Sequence, residues 1–208
     1  MMGGILADSE IQRALWCGDI EIDPFNPKHM NPVSVDLTLG DEVLVYERWV
    51  QRGTLDESDV HLPDLPVPDL PGPYWLDVRE VPNTIKFKLD AKGVILRPGV
   101  GYLMHTAERV HTKKYVPVLD GKSSLARLFM VVHVTAGFGD PGFNGQYTLE
   151  VTVTHPLRIY SGMRIAQMRF HTIVGEVEKL YEGNYTGDNA CGPVASKAWK
   201  QFLKKDLP

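Results

Sequence analysis

Residues 146–154 read Gln-Tyr-Thr-Leu-Glu-Val-Thr-Val-Thr, a stretch with a period of two. Tyr147, Leu149, Val151 and Val153 fall on one face, and Thr148, Glu150, Thr152 and Thr154 on the other. That is the pattern of a strand with one side in a core. Glu150 is the only acid on the polar face, and on its own a solvated strand residue would account for it. Just upstream, Asp140-Pro141-Gly142 is a strong turn signal. Small residues beside it (Ala136, Gly137, Gly139) would let backbone approach a ligand, and Phe143 offers a flat apolar surface.

Outward from this stretch the same period recurs. Val33, Val35, Leu37 and Leu39 alternate with Ser34, Asp36 and Thr38. Further short runs lie at Val43–Tyr46, Ile85–Leu89, Val94–Leu96, Val116–Leu119, Met130–Val134, Arg158–Tyr160 and Arg164–His171. Many short strands punctuated by Gly and Pro predict a mainly β sandwich or barrel in one domain spanning 1–208. Three segments depart from that pattern. Residues 1–20 predict a helix, with a capping box at Ser9-Glu10-Ile11-Gln12, a face of Ile11, Ala14 and Leu15, and a stop at Gly18. The proline-dense run His61–Trp75 predicts an irregular surface loop, either a rigid connector or a PxxP-type ligand. The tail from Tyr181 to Pro208, rich in Gly and Asn before a basic end, predicts a mobile lid.

Composition bounds the function. Lys+Arg 22 against Asp+Glu 26 gives a net charge of −4, which argues against the broad basic face that nucleic-acid binding needs. The longest uncharged stretch near the middle, Leu128–Gly139, is far shorter than the ~20 residues that cross a bilayer. The opening residues lack the basic and apolar parts of a signal peptide. Cys17 and Cys191 are the only cysteines, too few for a zinc framework or a disulfide scaffold. These features predict a reduced, cytoplasmic protein with no nucleic-acid or membrane partner. No His-x-Glu followed by Pro-Cys-x-x-Cys is present among the seven His, so the zinc-deaminase signature is absent and no zinc is expected.

Gly121-Lys122-Ser123 invites a phosphate-loop reading, but the full pattern needs Gly where Val116 stands. What remains is GKSSLARL, two hydroxyls and a Lys opening a short helical turn at Ser123–Phe129. An ordinary Ser cap with a solvent-facing Lys explains it, and so does a phosphate-binding helix start. Ser123 and Arg127 are four apart, which puts them on one side of a helical turn.

Read together, ILADSEIQRALWCGDIEIDPF, PVSVDLTLG, GKSSLARL, HVTAGFGDPGFNGQYTLE, SGMRIAQMRF and NYTGDNACGPVAS resemble the dCTP deaminases, which share a fold with the trimeric dUTPases. The resemblance runs from about Ile5 to Ser196 in register with that family's motif order. It implies a homotrimer of distorted β-barrel or jelly-roll subunits of the dUTPase type, with active sites shared between neighbours. It further implies zinc-independent deamination of dCTP to dUTP and ammonia. The stretch TAGFGDPGF is similar to the bifunctional members, which continue to dUMP and pyrophosphate with Mg²⁺ held through the substrate phosphates. Inhibition by dTTP is a family expectation.

Carried over by position, the resemblance makes Glu150 the general base and then acid, positioned by Arg127, with Ser123 orienting the attacking water and Asp140 holding the sugar 3′-hydroxyl. In the bifunctional reading Asp140 also helps to activate water at the α-phosphate. Lys122 and Ser124 would contact phosphates, along with Leu125 and Ala126 of the same segment. Ala136, Thr148 and Leu149 would surround the base, Phe143 would pack on the sugar, and Gln167 and Tyr181 would touch the nucleotide. Two departures from the family pattern are visible: Lys122 stands where Arg is usual, and Asn184-Tyr185-Thr186 where Lys-Tyr-Gln is common. An apolar residue is typical of plain dUTPases at the position of Glu150, so the acid favours deamination. A dUTP diphosphatase without deamination and a non-catalytic nucleotide-binding regulator are the alternatives.

Overall fold

Among residues 3–47, 76–81 and 83–202, which a computed structural model describes, the chain is mostly strand, turn and loop. Helix α1 (Asp8–Trp16) leads into β1 (Ile20–Asp23), β2 (Met30–Asn31), β3 (Ser34–Thr38) and β4 (Glu42–Tyr46). Next come β5 (Thr84–Lys88), β6 (Val94–Leu96), β7 (Tyr102–Thr112) and β8 (Tyr115–Gly121). A single-turn helix α2 (Ser123–Ala126) precedes β9 (Met130–Val131), β10 (Asn144–Val153), β11 (Leu157–Ile159) and β12 (Arg164–Thr172). The proline-dense run at 61–75 and the tail end at 203–208 lie outside the described residues.

The strands form two main antiparallel sheets, ordered β5-β4-β7-β10-β9 with β1 also on β7, and β2-β3-β12-β8; β11 and β6 make a small third pair. The mainly β expectation holds. Among the described residues the sheets stay open, with β5 and β9 as edges of the first and β2 and β8 as edges of the second. The core is built from the inner faces of both sheets: Leu37 of β3, Met104 of β7, Leu149 and Val151 of β10, and Ile165, Met168 and Phe170 of β12 are all fully buried. Each such side chain contributes about 1.5–3 kcal/mol of transfer free energy. Thr38 crosses between the sheets, its backbone N–H and hydroxyl donating to the buried Glu108 carboxylate at 2.8 and 2.7 Å.

Three local expectations change. Helix α1 buries Ile11 and Ala14 and stops before Gly18 (φ 74°), but it opens at Ala7 rather than Ser9 and has no side-chain cap. Ser9 instead donates its N–H to Asp8 Oδ1 at 2.8 Å. The run at Met130–Val134 gives only a two-residue strand, because the chain leaves β10 after the pairs Thr152↔Val131 and Val153↔Met130. Strand β3 is buried on both faces rather than one: Asp36 is 1% exposed and Ser34 7%.

Candidate active site

The turn signalled by Asp140-Pro141-Gly142 forms between β9 and β10, with Phe143 N–H donating to Asp140 O at 3.1 Å. Gly142 adopts φ 97°, and a Cβ there would lie 2.8 Å from Leu180 Cβ and from the Tyr181 nitrogen. Glycine is therefore required for both conformation and space. Tyr181 N–H donates to Pro141 O at 2.8 Å, which ties the turn to the C-terminal segment. Upstream, the small residues let the loop lie against β8: Leu119 N–H donates to Gly137 O at 2.6 Å and Gly139 N–H to Pro117 O at 2.8 Å.

This loop, β10 and the C-terminal segment enclose a cavity of about 460 Å³. Among the residues singled out from sequence, Ala136, Gly139, Asp140, Phe143, Thr148, Glu150 and Tyr181 line it. Phe143 makes an aromatic wall, its ring 4.6 Å from that of Tyr147 and 6.2 Å from that of Tyr181. Leu149, between Thr148 and Glu150, sends its side chain into the core, leaving only its backbone to the site. The C-terminal segment is fastened along β10 and β4. Gly192 N–H donates to Gln146 Oε1 at 2.7 Å, Val194 N–H to Thr148 Oγ1 at 3.1 Å, and Ser196 N–H to the Tyr46 hydroxyl at 3.3 Å.

Glu150 is half-buried in this cavity. Burial pushes its carboxyl above the ordinary carboxylate value, opposed by its own backbone, the charge of His133 and the Val134 backbone. A carboxyl whose hold on its proton is strengthened by burial, at the wall of a cavity, is the kind of group that can take up a proton and return it. Among the described residues the Tyr147 hydroxyl has no hydrogen-bond partner, and burial pushes its pKa far up. Asp140 is exposed at the rim.

The remaining singled-out residues gather elsewhere. Ser123, Ser124, Ala126 and Arg127 are exposed on α2 and its end, while Leu125 is buried. Arg127 donates from Nη1 to Ser123 O at 2.9 Å, and no ion pair joins it to Glu150 within one chain. Lys122 donates from Nζ to Asp36 Oδ1 at 2.5 Å. Gln167 donates from Nε2 to Gly121 O at 3.3 Å, so it belongs with this second group. The site residues therefore form two sets, a cavity with the acid and a surface turn with the hydroxyls and cations.

Sequence reasoning missed several lining groups. Tyr147 carries a core-face signal yet also reaches the cavity, and the charge of His133, on the loop, acts on Glu150 although His133 does not line the cavity. Tyr46, Tyr185, Val194 and Ser196 line the cavity from β4 and the tail; nothing in their local sequence brings those segments to β10. Among the described residues, no group of three or more His, Cys, Asp or Glu is placed to hold a metal ion, and no helix is long and apolar enough to cross a membrane.

A family model described as dCTP deaminase-like matches residues 5–173. A protein of Leptospira biflexa named "dCTP deaminase, dUMP-forming" is 39% identical over 202 residues, covering 97% of this chain and 99% of that protein. A protein of the same name from Clostridium acetobutylicum is 38% identical over 199 residues, covering 96% and 99%. Among solved structures, the 2′-deoxycytidine 5′-triphosphate deaminase of Agrobacterium tumefaciens superposes with a TM-score of 0.57 at 21% identity. That match covers 83% of this chain and 49% of the other, so this chain spans about half the length of that structure.

Proposed function

Because this chain belongs to the dCTP deaminase-like family, we propose that it hydrolyses dCTP to dUTP and ammonia and then dUTP to dUMP and pyrophosphate. The observation that carries the reading is Glu150, a half-buried carboxyl with a raised pKa at the wall of a nucleoside-sized cavity. The two full-length relatives carry the dUMP-forming name.

In the first step Glu150 takes a proton from water as the oxygen bonds to C4 of the cytosine ring. It then returns that proton to the exocyclic nitrogen as the C4–N4 bond breaks and ammonia leaves. The backbone at Ala136, Thr148 and Leu149 faces the base, and the Phe143 ring lies flat against the deoxyribose, with Asp140 on the 3′-hydroxyl. In the second step water attacks the α-phosphorus and pyrophosphate departs. Mg²⁺ would neutralise the charge on the phosphates. Asp140, exposed at the rim of the cavity, is the carboxylate that would stand beside an ion held by the substrate's phosphates.

Among the described residues Glu150 has no guanidinium partner, while Arg127 and Ser123 are exposed beside an apolar strip: Leu128, Phe129, Val131, Val134 and Phe138 are each at least 44% exposed. Apolar strips of this kind mark protein contacts. In our reading this strip packs subunits into a homotrimer, and the Ser123–Arg127 turn of one subunit completes the cavity of the next. Such a reaction belongs with the cytoplasmic nucleotide pool, and dTTP is its expected inhibitor.

The test is incubation of the pure protein with dCTP and Mg²⁺, with ammonia assayed and dUTP resolved from dUMP. The reading expects ammonia and dUMP in equal amounts. Accumulation of dUTP would remove the second step, turnover of dUTP alone would leave a diphosphatase, and nucleotide binding without turnover would leave a regulator.

A further inference from the structure

On the outer face of the four-stranded sheet, Asp36 of β3 pairs across to Gln167 of β12, and Gln167 to Asp120 of β8. Asp36 is 1% exposed, and its carboxylate accepts three hydrogen bonds: from Lys122 Nζ at 2.5 Å, Asn31 Nδ2 at 2.9 Å and Arg164 Nη1 at 3.2 Å. One cation is enough to neutralise a buried carboxylate, and Lys122, its side chain 19% exposed, supplies it. The second cation is surplus. Arg164 keeps 55% of its side chain in solvent and, among the described residues, donates to Asp36 alone, although a guanidinium carries five N–H donors. Its neighbour on the same strand, Arg169, is matched by Asp120. The cluster thus carries one excess positive charge on a guanidinium held in place beside Lys122 and Gln167.

That arrangement suits an anion with several oxygens. Lys122 offers a point charge where a fork is usual, and a guanidinium is the group that binds phosphate oxygens bidentately. We propose that Arg164 is a further residue of the polyphosphate subsite, acting with Lys122, and that Asp36 is the positioning carboxylate that holds both cations. The proposal rests on the nucleotide reading above and extends it to the β- and γ-phosphates of the substrate. A nucleoside monophosphate lacks those two phosphates and serves as the control.

The experiment compares wild type with Arg164→Ala and Arg164→Lys; the site is half-exposed, so these variants should fold. It measures kcat and KM for dCTP and the calorimetric affinities for dCMP and inorganic tripolyphosphate. Losing a charge-assisted fork should raise KM for dCTP and weaken tripolyphosphate binding by about tenfold or more. The kcat value and dCMP affinity should change far less, and Lys should recover part of the loss. Asp36→Asn, if it folds by circular dichroism, should reproduce the KM effect. An Arg164→Ala protein with wild-type KM and wild-type tripolyphosphate affinity would overturn the proposal while leaving the deaminase reading intact. If wild type does not turn over dCTP, that reading fails, and the tripolyphosphate comparison alone decides whether Arg164 binds phosphate.

Discussion

Glu150 sits where burial and function pull in different directions. Its folded pKa is raised by desolvation, so the folded state holds the proton more tightly than the unfolded chain does. The stability this contributes is fully present below the unfolded pKa and is lost as pH rises through the folded pKa. Gln mimics the protonated form without titrating. Glu150→Gln should therefore abolish ammonia release, by about 10²–10⁴-fold if only acid–base catalysis is lost, while its melting temperature at pH 7 matches or exceeds wild type. A fall in melting temperature would mean that the carboxylate is a structural partner. Tyr147 gives a second prediction at this scale. Its buried hydroxyl has no partner among the described residues, and such a group costs about 1–3 kcal/mol. Tyr147→Phe should raise the denaturant midpoint at an unchanged m-value, and a lowered midpoint would show that the hydroxyl is satisfied in the assembled protein.

At the scale of elements, the C-terminal segment depends on side-chain acceptors on β10 and β4. Thr148→Val keeps the shape but removes the acceptor for Val194 N–H. Hydrogen exchange at residues 192–196 should speed up by about five- to tenfold, as expected for the loss of a hydrogen bond worth roughly 1 kcal/mol. Unchanged protection would show that the segment is held by packing. Most strands were legible in the sequence because their alternation survives folding: Val94–Leu96 matches β6, and Gln146–Val153 lies inside β10. The long central strand β7 was not. His105, Thr106 and Glu108 break its apolar pattern, yet all three are buried and hydrogen-bonded, His105 to Thr106 O and the Glu42 N–H, Thr106 to Glu108 O, and Glu108 to Thr38. Asp36 is the same kind of case on β3. Buried polar residues satisfied by partners distant in sequence leave no periodic trace.

For the whole molecule, acid stability follows from His105. Burial lowers its pKa, with Thr106, Glu42 and Asp41 opposing and Lys86 reinforcing the shift. A base with a depressed folded pKa gives stability that is present above its unfolded pKa, about 6.5, and lost as pH falls below it. The melting temperature should fall from pH 7 to pH 5, and His105→Gln should flatten that slope; an equally steep slope in the variant would move the effect to other groups. The site itself was legible in kind but not in arrangement. Glu150, Asp140, Phe143 and Ala136 share a cavity, but Ser123 and Arg127 lie outside it, because a four-residue spacing places the two only relative to each other on their own helical turn. Mixed assembly tests this most directly. Glu150→Gln and Arg127→Ala proteins, each inactive alone, are unfolded together, refolded and separated by differential tags, and ammonia release from the mixed trimers is measured. If Glu150 of one subunit works with Arg127 of the next, each mixed trimer carries one intact site of its three and should recover about one third of wild-type activity per site. Mixed trimers that form yet release no ammonia would contradict the account.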